Sequence, residues 1–311
     1  MGVSDMKRFI VNILVFFGIV AAVDVVAGKV FGYLQANVAG GRTGAEYYAC
    51  KESNEDVIIM GSSRASHHYV PQIITDSLGL SCFNAGQDGN GIILQYGRWK
   101  MISERYVPKL IIYDIAMSFD MEPTDNMAYV DRLKPFCKDK SVADYVVEIF
   151  PIERVKLLSQ MYCYNYKFLE MASDCLKRGD YKNKAGYIPL NGHIRQEVVD
   201  KPMAEKTASI ETDEVKLHYL ELLLKETKEA GTDMVIVVSP SWKGGTRLPE
   251  AYAPVRALAE KYGAPFYEYI NSPMCDDSDY FEDSSHLNDK GARRFTEVIV
   301  SLIKRAYEDK G

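Results

Sequence analysis

Three short apolar runs, at residues 57–60, 80–84 and 110–113, constrain the fold of this chain most strongly. Each is too short for a helix, and the first and third are continuously apolar, which is typical of strands buried on both faces of a sheet. The segments between them predict two helices, one from Pro71 to near Gly79 and one over 92–106. Strands alternating with helices at this spacing predict βαβ units and a parallel sheet.

The remainder of the chain extends the same pattern after one interruption. Residues 121–211 contain no convincing strand and are predicted to form a helical insertion. A helix capped by Asp213 and ended by Gly231 follows, then strands at 234–239 and 263–268 and an amphipathic last helix. We predict an α/β fold of three layers around a doubly wound, five-stranded parallel sheet.

The amino end predicts a membrane anchor. Residues 9–28 are apolar except for Asn12 and Asp24, and such a stretch crosses a hydrocarbon layer of about 30 Å as a helix. Lys7 and Arg8 place the leading end in the cytoplasm, so residues 1–28 are predicted to be a signal anchor. The alternatives are a secreted protein with a cleaved signal peptide ending near residue 27, and a buried soluble helix, which the carboxylate of Asp24 favours.

Residues 29–55 are predicted to be a surface connector, and residues 56–311 the folded domain. This domain would lie outside the cytoplasm, on the periplasmic or outer side of the membrane. Disulfides among the six cysteines are possible there, although the spacings specify no pairing.

Composition and motifs exclude several classes of function. A formal net charge of −6 and a pI near 5.5 argue against a nucleic-acid partner. The histidines and cysteines show no zinc-binding spacing, so no metal is expected. No GxGxxG sequence or phosphate-loop lysine is present, so no nucleotide cofactor is expected either.

Small polar residues follow the first two predicted strands. Gly61-Ser62-Ser63-Arg64 ends the first, and a glycine-rich loop that begins Asn84-Ala85-Gly86 ends the second. The carboxyl ends of parallel strands share one edge of a sheet, where ligands collect. A hydroxyl nucleophile at this edge is one reading; a serine that only caps the next helix, and a loop that is only a turn, are the others.

An acid and a base with suitable spacing occur late in the chain, at Asp283 and His286. A carboxylate three residues before a histidine can orient the imidazole and leave its other nitrogen free to act as a base. The spacing alone is a weak signal, but its position before the last helix brings it to the same edge of the sheet.

These motifs together resemble the SGNH (GDSL-like) hydrolase superfamily, in particular its membrane-anchored members in bacterial cell envelopes. The resemblance covers residues 56–303 apart from the insertion, and it implies a flavodoxin-like SGNH fold. It also implies that Ser63 is the nucleophile, with Ser62 at the family's usual Asp position, and that Asp283 and His286 complete a triad. The N–H groups of Ser63 and Gly86 would form the oxyanion hole.

One block departs from the family pattern. The family has Gly-x-Asn-Asp after the third strand, and its Asn completes the oxyanion hole, whereas residues 114–120 contain no Asn. Ser118 would be a weaker donor there, and an ionised Asp114 would repel an oxyanion. Loss of one donor can cost on the order of 10²–10³ in rate, so low activity or a changed reaction stays open as an alternative.

The preferred function is that of a serine esterase or acyltransferase acting on O-acyl groups, by resemblance acetyl groups of envelope carbohydrate. Besides the triad, substrate contacts are expected from the following residues: Ser62, Arg64, Asn84, Asp114 and Ser118. Partners would be the acylated carbohydrate, the membrane and envelope-polysaccharide assembly proteins.

The rival reading is a non-catalytic, membrane-tethered glycan-binding or assembly protein on the same fold. A soluble nucleotide binder is a more distant alternative. Tyrosines of the insertion would either stack on sugar rings or pack against the body: Tyr162, Tyr164, Tyr166, Tyr181 and Tyr187. His67 and His68 are expected to have packing or surface roles.

Overall fold

The fold is built on one parallel sheet of five strands in the order β2-β1-β3-β4-β5. The computed structural model describes residues 3–124, 126–177, 179, 185–201, 211–246 and 249–308. The predicted fold class is confirmed. The strands are β1 (Val57–Gly61), β2 (Cys82–Asn84), β3 (Leu110–Asp114), β4 (Asp233–Val238) and β5 (Phe266–Glu268).

Helices flank the sheet and fill the segments between its strands. Asp213 caps one of them, accepting hydrogen bonds from the N–H groups of Val215 and Lys216, as the sequence predicts. The helices of the described residues are α1 (Val3–Asn37), α2 (Gly41–Tyr47), α3 (Ser63–His68), α4 (Pro71–Leu78), α5 (Ile92–Ser103), α6 (Met117–Asp120), α7 (Asn126–Asp131), α8 (Lys140–Ile149), α9 (Glu153–Lys156), α10 (Phe168–Asp174), α11 (Gln196–Val199), α12 (Glu214–Ala230), α13 (Ala253–Tyr262) and α14 (Asp289–Glu308).

The two faces of the sheet carry separate cores. Ile58 and Met60 of β1 face a cluster that includes α5 and α12, whereas Val57 and Ile59 face a cluster that includes α14. All four side chains are fully buried. Because successive side chains of a strand point to opposite faces, a strand covered on both sides must be apolar throughout.

The sheet order places a crevice between β1 and β3. The chain leaves β1 for β2 on one side and later returns to β3 on the other. Ligands of open α/β sheets bind at this kind of switch point, outside the carboxyl ends of the strands. The turn that follows β1 therefore lies at the expected position for a functional site.

The segment 29–55 differs from the predicted surface connector. Helix α1 continues to Asn37, α2 follows, and residues Tyr48–Glu52 form a π-helical turn. Ala49 and Cys50 are buried in the same core cluster as Ile58. At the Gly40-Gly41 pair the chain turns from α1 into α2. Gly41 starts α2 with a φ of +63° that glycine adopts without strain. The domain boundaries themselves stay a prediction.

The described part of the insertion 121–211 contains short helices and turns and no strand. Parts of it, including Tyr181, lie outside the described residues. All six cysteines of the chain are free thiols, so the structure contains none of the disulfides considered above.

Helix α1 has two parts with different surroundings. Residues 4–23 are exposed along their whole length, whereas from Asp24 onward one face of the helix is turned towards the body. The helix is long and apolar enough to cross a membrane. It is also longer than the predicted span of residues 9–28, because its second part packs on the domain.

Gly61 is required by the turn from β1 to α3. Its φ of +138° is rare for other residues, and a methyl group there would collide with the carbonyl oxygen of Asp114 and lie 3.0 Å from Ala65 Cβ. Gly79, at the end of α4, also has a positive φ of +67°, but open space surrounds it.

We therefore expect Gly61→Ala to destabilise the protein more than Gly79→Ala. A left-handed conformation costs a non-glycine residue about 1–2 kcal/mol, which is the whole cost at Gly79. At Gly61 the steric collision adds to it. Thermal unfolding of the two variants in parallel measures the difference, and equal losses would show that the turn can move aside.

Candidate active site

Ser63 is the first residue of helix α3, directly after the turn at the end of β1. Ser62 precedes it as the N-cap residue, but its side chain makes no capping hydrogen bond and is fully buried. The reading in which these serines only cap the helix is therefore not supported by a capping contact from Ser62.

A continuous chain of hydrogen bonds joins Ser63, His286 and Asp283. Ser63 Oγ lies 2.8 Å from His286 Nε2, and His286 Nδ1 lies 2.9 Å from Asp283 Oδ2. Because a carboxylate only accepts hydrogen bonds, Nδ1 carries the imidazole proton and Nε2 accepts from the Ser63 hydroxyl. These three predicted residues thus stand in the geometry of a nucleophile, a base and an orienting acid.

The carboxylate of Asp283 is held in its ionised form. Burial by itself raises the pKa of Asp283, but hydrogen bonds from the His286 ring and from the N–H groups of Ser285 and His286 lower it to about 2. Its side chain is still 52% exposed, against 23% for His286. The acid is therefore fixed by local hydrogen bonds more than by enclosure.

A second histidine holds the loop that carries His286. The N–H of Leu287 donates to His68 Nε2 at 3.0 Å, and His68 Nδ1 lies 2.9 Å from Ser239 Oγ. His68 accepts a backbone proton at Nε2, so the ring is neutral and its own proton is on Nδ1. Burial, together with the neighbouring His286 and Arg64, lowers the pKa of His68 well below its ordinary value.

His67 is also built into the fold. Its Nδ1 lies 2.7 Å from the carbonyl oxygen of Ile188, and its Nε2 lies 3.3 Å from Asp88. Burial lowers the pKa of His67, but the hydrogen bonds to Asp88 and Ile188 together with the charge of Asp88 outweigh this and raise it. Both histidines have packing and positioning contacts, and neither lines the cavity beside Ser63.

That cavity has a volume of about 390 Å³ and contains Ser63 and His286 at its wall. Ser62, Arg64 and Ser118, three of the predicted substrate contacts, also line it. The other lining residues were not predicted from the sequence. Three of them, Glu122, Ser241 and Tyr252, follow the carboxyl ends of β3 and β4, where ligands of parallel sheets bind, so their position was a usable signal. The further lining residues are Ala116, Met117, Phe119, Gly244, Ile270, Ser284 and Ser285.

Asp114 does not contact the cavity, in contrast to the prediction. It is fully buried at the end of β3, accepts a hydrogen bond from Tyr69 Oη at 2.6 Å and lies 3.5 Å from Arg64 Nε. Burial raises the pKa of Asp114, and the charge of Arg64 opposes this shift. The carboxylate thus faces a cation under the site, and it does not face a reacting oxygen.

Arg64 is anchored by the same cluster. Its guanidinium donates to the carbonyl oxygens of Ile115 and Ser239, in addition to its ion pair with Asp114. The side chain is 11% exposed. Arg64 therefore connects the ends of β3 and β4 beneath the cavity.

Gly86 and Asn84 differ from their predicted roles. The N–H of Gly86 donates to Asn84 Oδ1 at 3.0 Å, and Asn84 Nδ2 donates to the carbonyl oxygens of Ala65 and Tyr69. Both residues line a neighbouring cavity of about 630 Å³, which does not include Ser63 or His286. In this structure the Gly86 N–H is engaged and Asn84 braces α3, so neither faces the Ser63 cavity.

The tyrosines of the insertion give no sugar-stacking wall beside Ser63 among the described residues. Tyr164 and Tyr187 are buried, and Tyr166 is exposed. Tyr162 lies under Lys134 and accepts its hydrogen bond at 2.7 Å. Tyr181 lies outside the described residues. Within those residues no cluster of three or more His, Cys, Asp or Glu side chains suited to a metal ion occurs.

Comparisons with known proteins are limited to distant structural likeness. No protein-family model and no curated protein matches the chain, whereas 21 solved chains match it in structure. One, described as a candidate acylhydrolase from Bacteroides fragilis, has 12% identity and a TM-score of 0.39 and covers 90% of this chain and 95% of that chain. Another, described as a candidate GDSL-like lipase from Parabacteroides merdae, has 12% identity and a TM-score of 0.38, with coverages of 78% and 91%.

The two buried histidines of α3 predict opposite effects of pH on stability. The folded pKa of His68 is below the unfolded value of about 6.5, so its stabilisation is present above pH 6.5 and is lost as the pH falls. The folded pKa of His67 is above that value, so its stabilisation is present below pH 6.5 and is lost as the pH rises.

We expect the thermal midpoint of His68→Gln to fall less than that of the wild type between about pH 7.5 and 5.5, and that of His67→Gln to fall more. Each site contributes up to about 1.4 kcal/mol per pH unit. The two variants are matched controls for each other, and parallel pH slopes in all three proteins would contradict the assignment.

Proposed function

We propose that this protein is a serine esterase or O-acyltransferase that works through Ser63, His286 and Asp283. The observation that carries the proposal is the hydrogen-bonded chain from Ser63 Oγ through His286 to Asp283. Its order, its distances and its position at the switch point of the sheet are those of an activated serine nucleophile. The motif resemblance to SGNH hydrolases supports the same assignment.

In the proposed reaction, Ser63 Oγ attacks the carbonyl carbon of an ester while His286 Nε2 takes its proton. Asp283 holds the imidazole through Nδ1 and stabilises the imidazolium that forms. Collapse of the tetrahedral intermediate expels the alcohol, which receives the proton from His286, and leaves an acyl group on Ser63. Attack by water then gives hydrolysis, and attack by a sugar hydroxyl gives transfer.

The oxyanion would be stabilised by few donors. The N–H of Ser63 is at the first position of α3, where an N–H has no acceptor within its own helix. Ser118 adds a hydroxyl at the cavity wall, and none of the residues that line this cavity is an Asn or Gln. Because one missing donor costs on the order of 10²–10³ in rate, slow turnover is expected.

The cavity supports a small, polar substrate. Its volume of about 390 Å³ is near the lower end of ligand sites, and hydroxyl groups line it from several sides: Ser62, Ser118, Ser241, Ser284 and Ser285. A short acyl group on a sugar ring suits such a wall. We therefore propose O-acetylated carbohydrate of the cell envelope as the substrate class.

A location outside the cytoplasm fits this substrate class. Helix α1 is long and apolar enough to cross a membrane, and Lys7 and Arg8 at its amino end favour a cytoplasmic start. We propose a single-pass anchor with the catalytic domain on the far side of the membrane, and envelope-polysaccharide assembly proteins as neighbours.

Ser63→Ala should abolish labelling by a fluorophosphonate probe and lower hydrolysis of an aryl acetate by about 10³-fold or more. Ser66→Ala, a substitution on the same helix, is the matched control and should label normally, as should Ser62→Ala. Intact mass spectrometry counts the adduct, and circular dichroism verifies the fold. Labelling that survives in Ser63→Ala would rule out this nucleophile.

Asp283→Asn should leave Ser63 present but slow its acylation by on the order of 10²–10⁴, because an amide can hold the wrong tautomer of His286. The rate of probe labelling measures this directly. An unchanged rate would show that Asp283 only shapes the loop.

The rival function is a glycan-binding or assembly protein without turnover, and the engaged Gly86 N–H together with the missing amide donor favours it. The labelling experiment separates the two. A folded wild-type protein that binds acetylated glycan but shows neither labelling nor ester turnover would establish the binding module.

A further inference from the structure

Exposed apolar side chains outside α1 concentrate in one segment of the insertion, residues 152–176, called here the apolar segment. Leu158 is 80% exposed, Leu169 72% and Leu176 88%. Folded domains rarely leave such a group of side chains in water unless it meets a partner or a membrane. Eight large apolar side chains of the apolar segment are exposed: Ile152, Val155, Leu158, Met161, Tyr166, Phe168, Leu169 and Leu176. In the rest of the described chain outside α1, the exposed ones are Val107, Ile188 and Val215.

The apolar segment is joined to α1 by a carboxylate. Asp24 accepts hydrogen bonds from Ser159 Oγ at 2.5 Å, from the N–H of Gln160 at 2.8 Å and from the N–H of Met161 at 3.0 Å. Three donors to one carboxylate satisfy a charge that would be costly at the edge of a hydrocarbon layer. Asp24 therefore holds residues 159–161 against one turn of α1.

The next turns of α1 continue this contact. Gly28 packs against Gln160 so closely that a methyl group would collide with its side chain. Phe31 places its ring 5.8 Å from that of Tyr164 and 6.1 Å from that of Phe168. The joint is thus a packed interface along one face of the helix, and it does not depend on a single hydrogen bond.

Helix geometry sets the level of this joint relative to a membrane. Residues 9–23 of α1, which lie between Arg8 and Asp24, are exposed on all sides, and 15 residues at about 1.5 Å per residue span about 22 Å. This length is less than the hydrocarbon core of about 30 Å, a mismatch that local thinning of the bilayer and snorkelling of Lys7 and Arg8 accommodate. If Lys7 and Arg8 lie at the cytoplasmic boundary of the core, Asp24 lies near the opposite boundary, and the residues that it binds lie there too.

The junction also forms an apolar groove with a polar rim. A cavity of about 410 Å³ is lined by Ile19, Val20, Val23 and Met161 together with Asp24, Ser159, Tyr162 and Asn165. Three exposed cations lie in the apolar segment or directly after it: Arg154, Lys156 and Lys177. Apolar side chains with tyrosine and basic residues beside them suit the interface of a bilayer that contains anionic lipid.

We infer that the apolar segment 152–176 rests in the interfacial layer of the membrane that α1 crosses. The partner is the phospholipid surface, and the insertion serves as a second membrane contact beside the anchor. The inference rests on α1 being a membrane anchor and is independent of any chemistry at Ser63. A second copy of this chain or another protein on the same surface are the competing occupants.

The test uses the full chain in nanodiscs of phosphatidylcholine and phosphatidylglycerol. In a background with Cys137→Ala, Cys163→Ala and Cys175→Ser, single substitutions Leu158→Cys, Leu169→Cys and Leu176→Cys carry an environment-sensitive nitrobenzoxadiazole fluorophore. Val107→Cys and Val215→Cys, exposed apolar positions outside the segment, are matched controls, and Phe16→Cys reports on α1 itself. Lipids with a nitroxide near the start of the acyl chain act as quenchers.

We expect the emission at 158, 169 and 176 to shift to the blue and to be quenched at least about twofold more than at 107 and 215, as burial near the headgroup boundary requires. Quenching equal to the controls would overturn the inference. A blue shift that grows with the protein-to-lipid ratio and is not accompanied by quenching would overturn it in favour of a second copy. Emission at position 16 as red as that of a fully water-exposed probe would overturn it together with the anchor, whatever the outcome of the esterase experiments.

Discussion

The hydrogen bond from the Leu287 N–H to His68 Nε2 joins the two segments on which the site depends. Helix α3 carries Ser63 at its start and His68 at its end, and Leu287 directly follows His286. One buried contact between positions 219 residues apart in sequence therefore holds Ser63 and His286 close together. This contact requires a neutral imidazole. Full burial of His68 beside Arg64 and His286 lowers its pKa and so keeps the ring neutral.

The same part of the molecule shows how a charged residue is accommodated at the buried end of a central strand. Asp114 at the end of β3 is turned under the sheet edge, where Arg64 and Tyr69 compensate it. The pair is buried and neutral as a whole, so it braces the strand ends without placing a negative field on the cavity. The ion pair thus joins Asp114 at the end of β3 to Arg64, the residue directly after Ser63.

The elements that were predictable from sequence are those whose pattern is local. Continuous apolar runs identified β1, β3 and β4, because a strand covered on both faces has no choice of residue type. The shorter strands β2 and β5 were identified as brief apolar pieces beside turn residues. The placement of Ser63, Asp283 and His286 at one edge followed from the rule for parallel sheets. The packing of residues 29–55 was not predictable, because Ala49 and Cys50 are buried by partners far away in sequence. The engaged N–H of Gly86 and the inward turn of Asp114 likewise depend on long-range contacts with Asn84, Arg64 and Tyr69, which no spacing reveals.

The packed path from α1 into the sheet has a consequence for the region that the cavity can reach. A flexible connector as long as residues 29–55 would have a root-mean-square end-to-end distance of about 30 Å, so that the domain would sweep a wide zone above its anchor. Here the chain passes from α1 through α2 and the π-helical turn into the core without a flexible stretch of that length. The hydrogen bonds of Asp24 fix the rotation of α1 about its own axis. This packing holds the domain in one orientation relative to α1. With α1 as the proposed anchor, the cavity would have one height and one facing direction above the bilayer, so a substrate would have to be presented at that height.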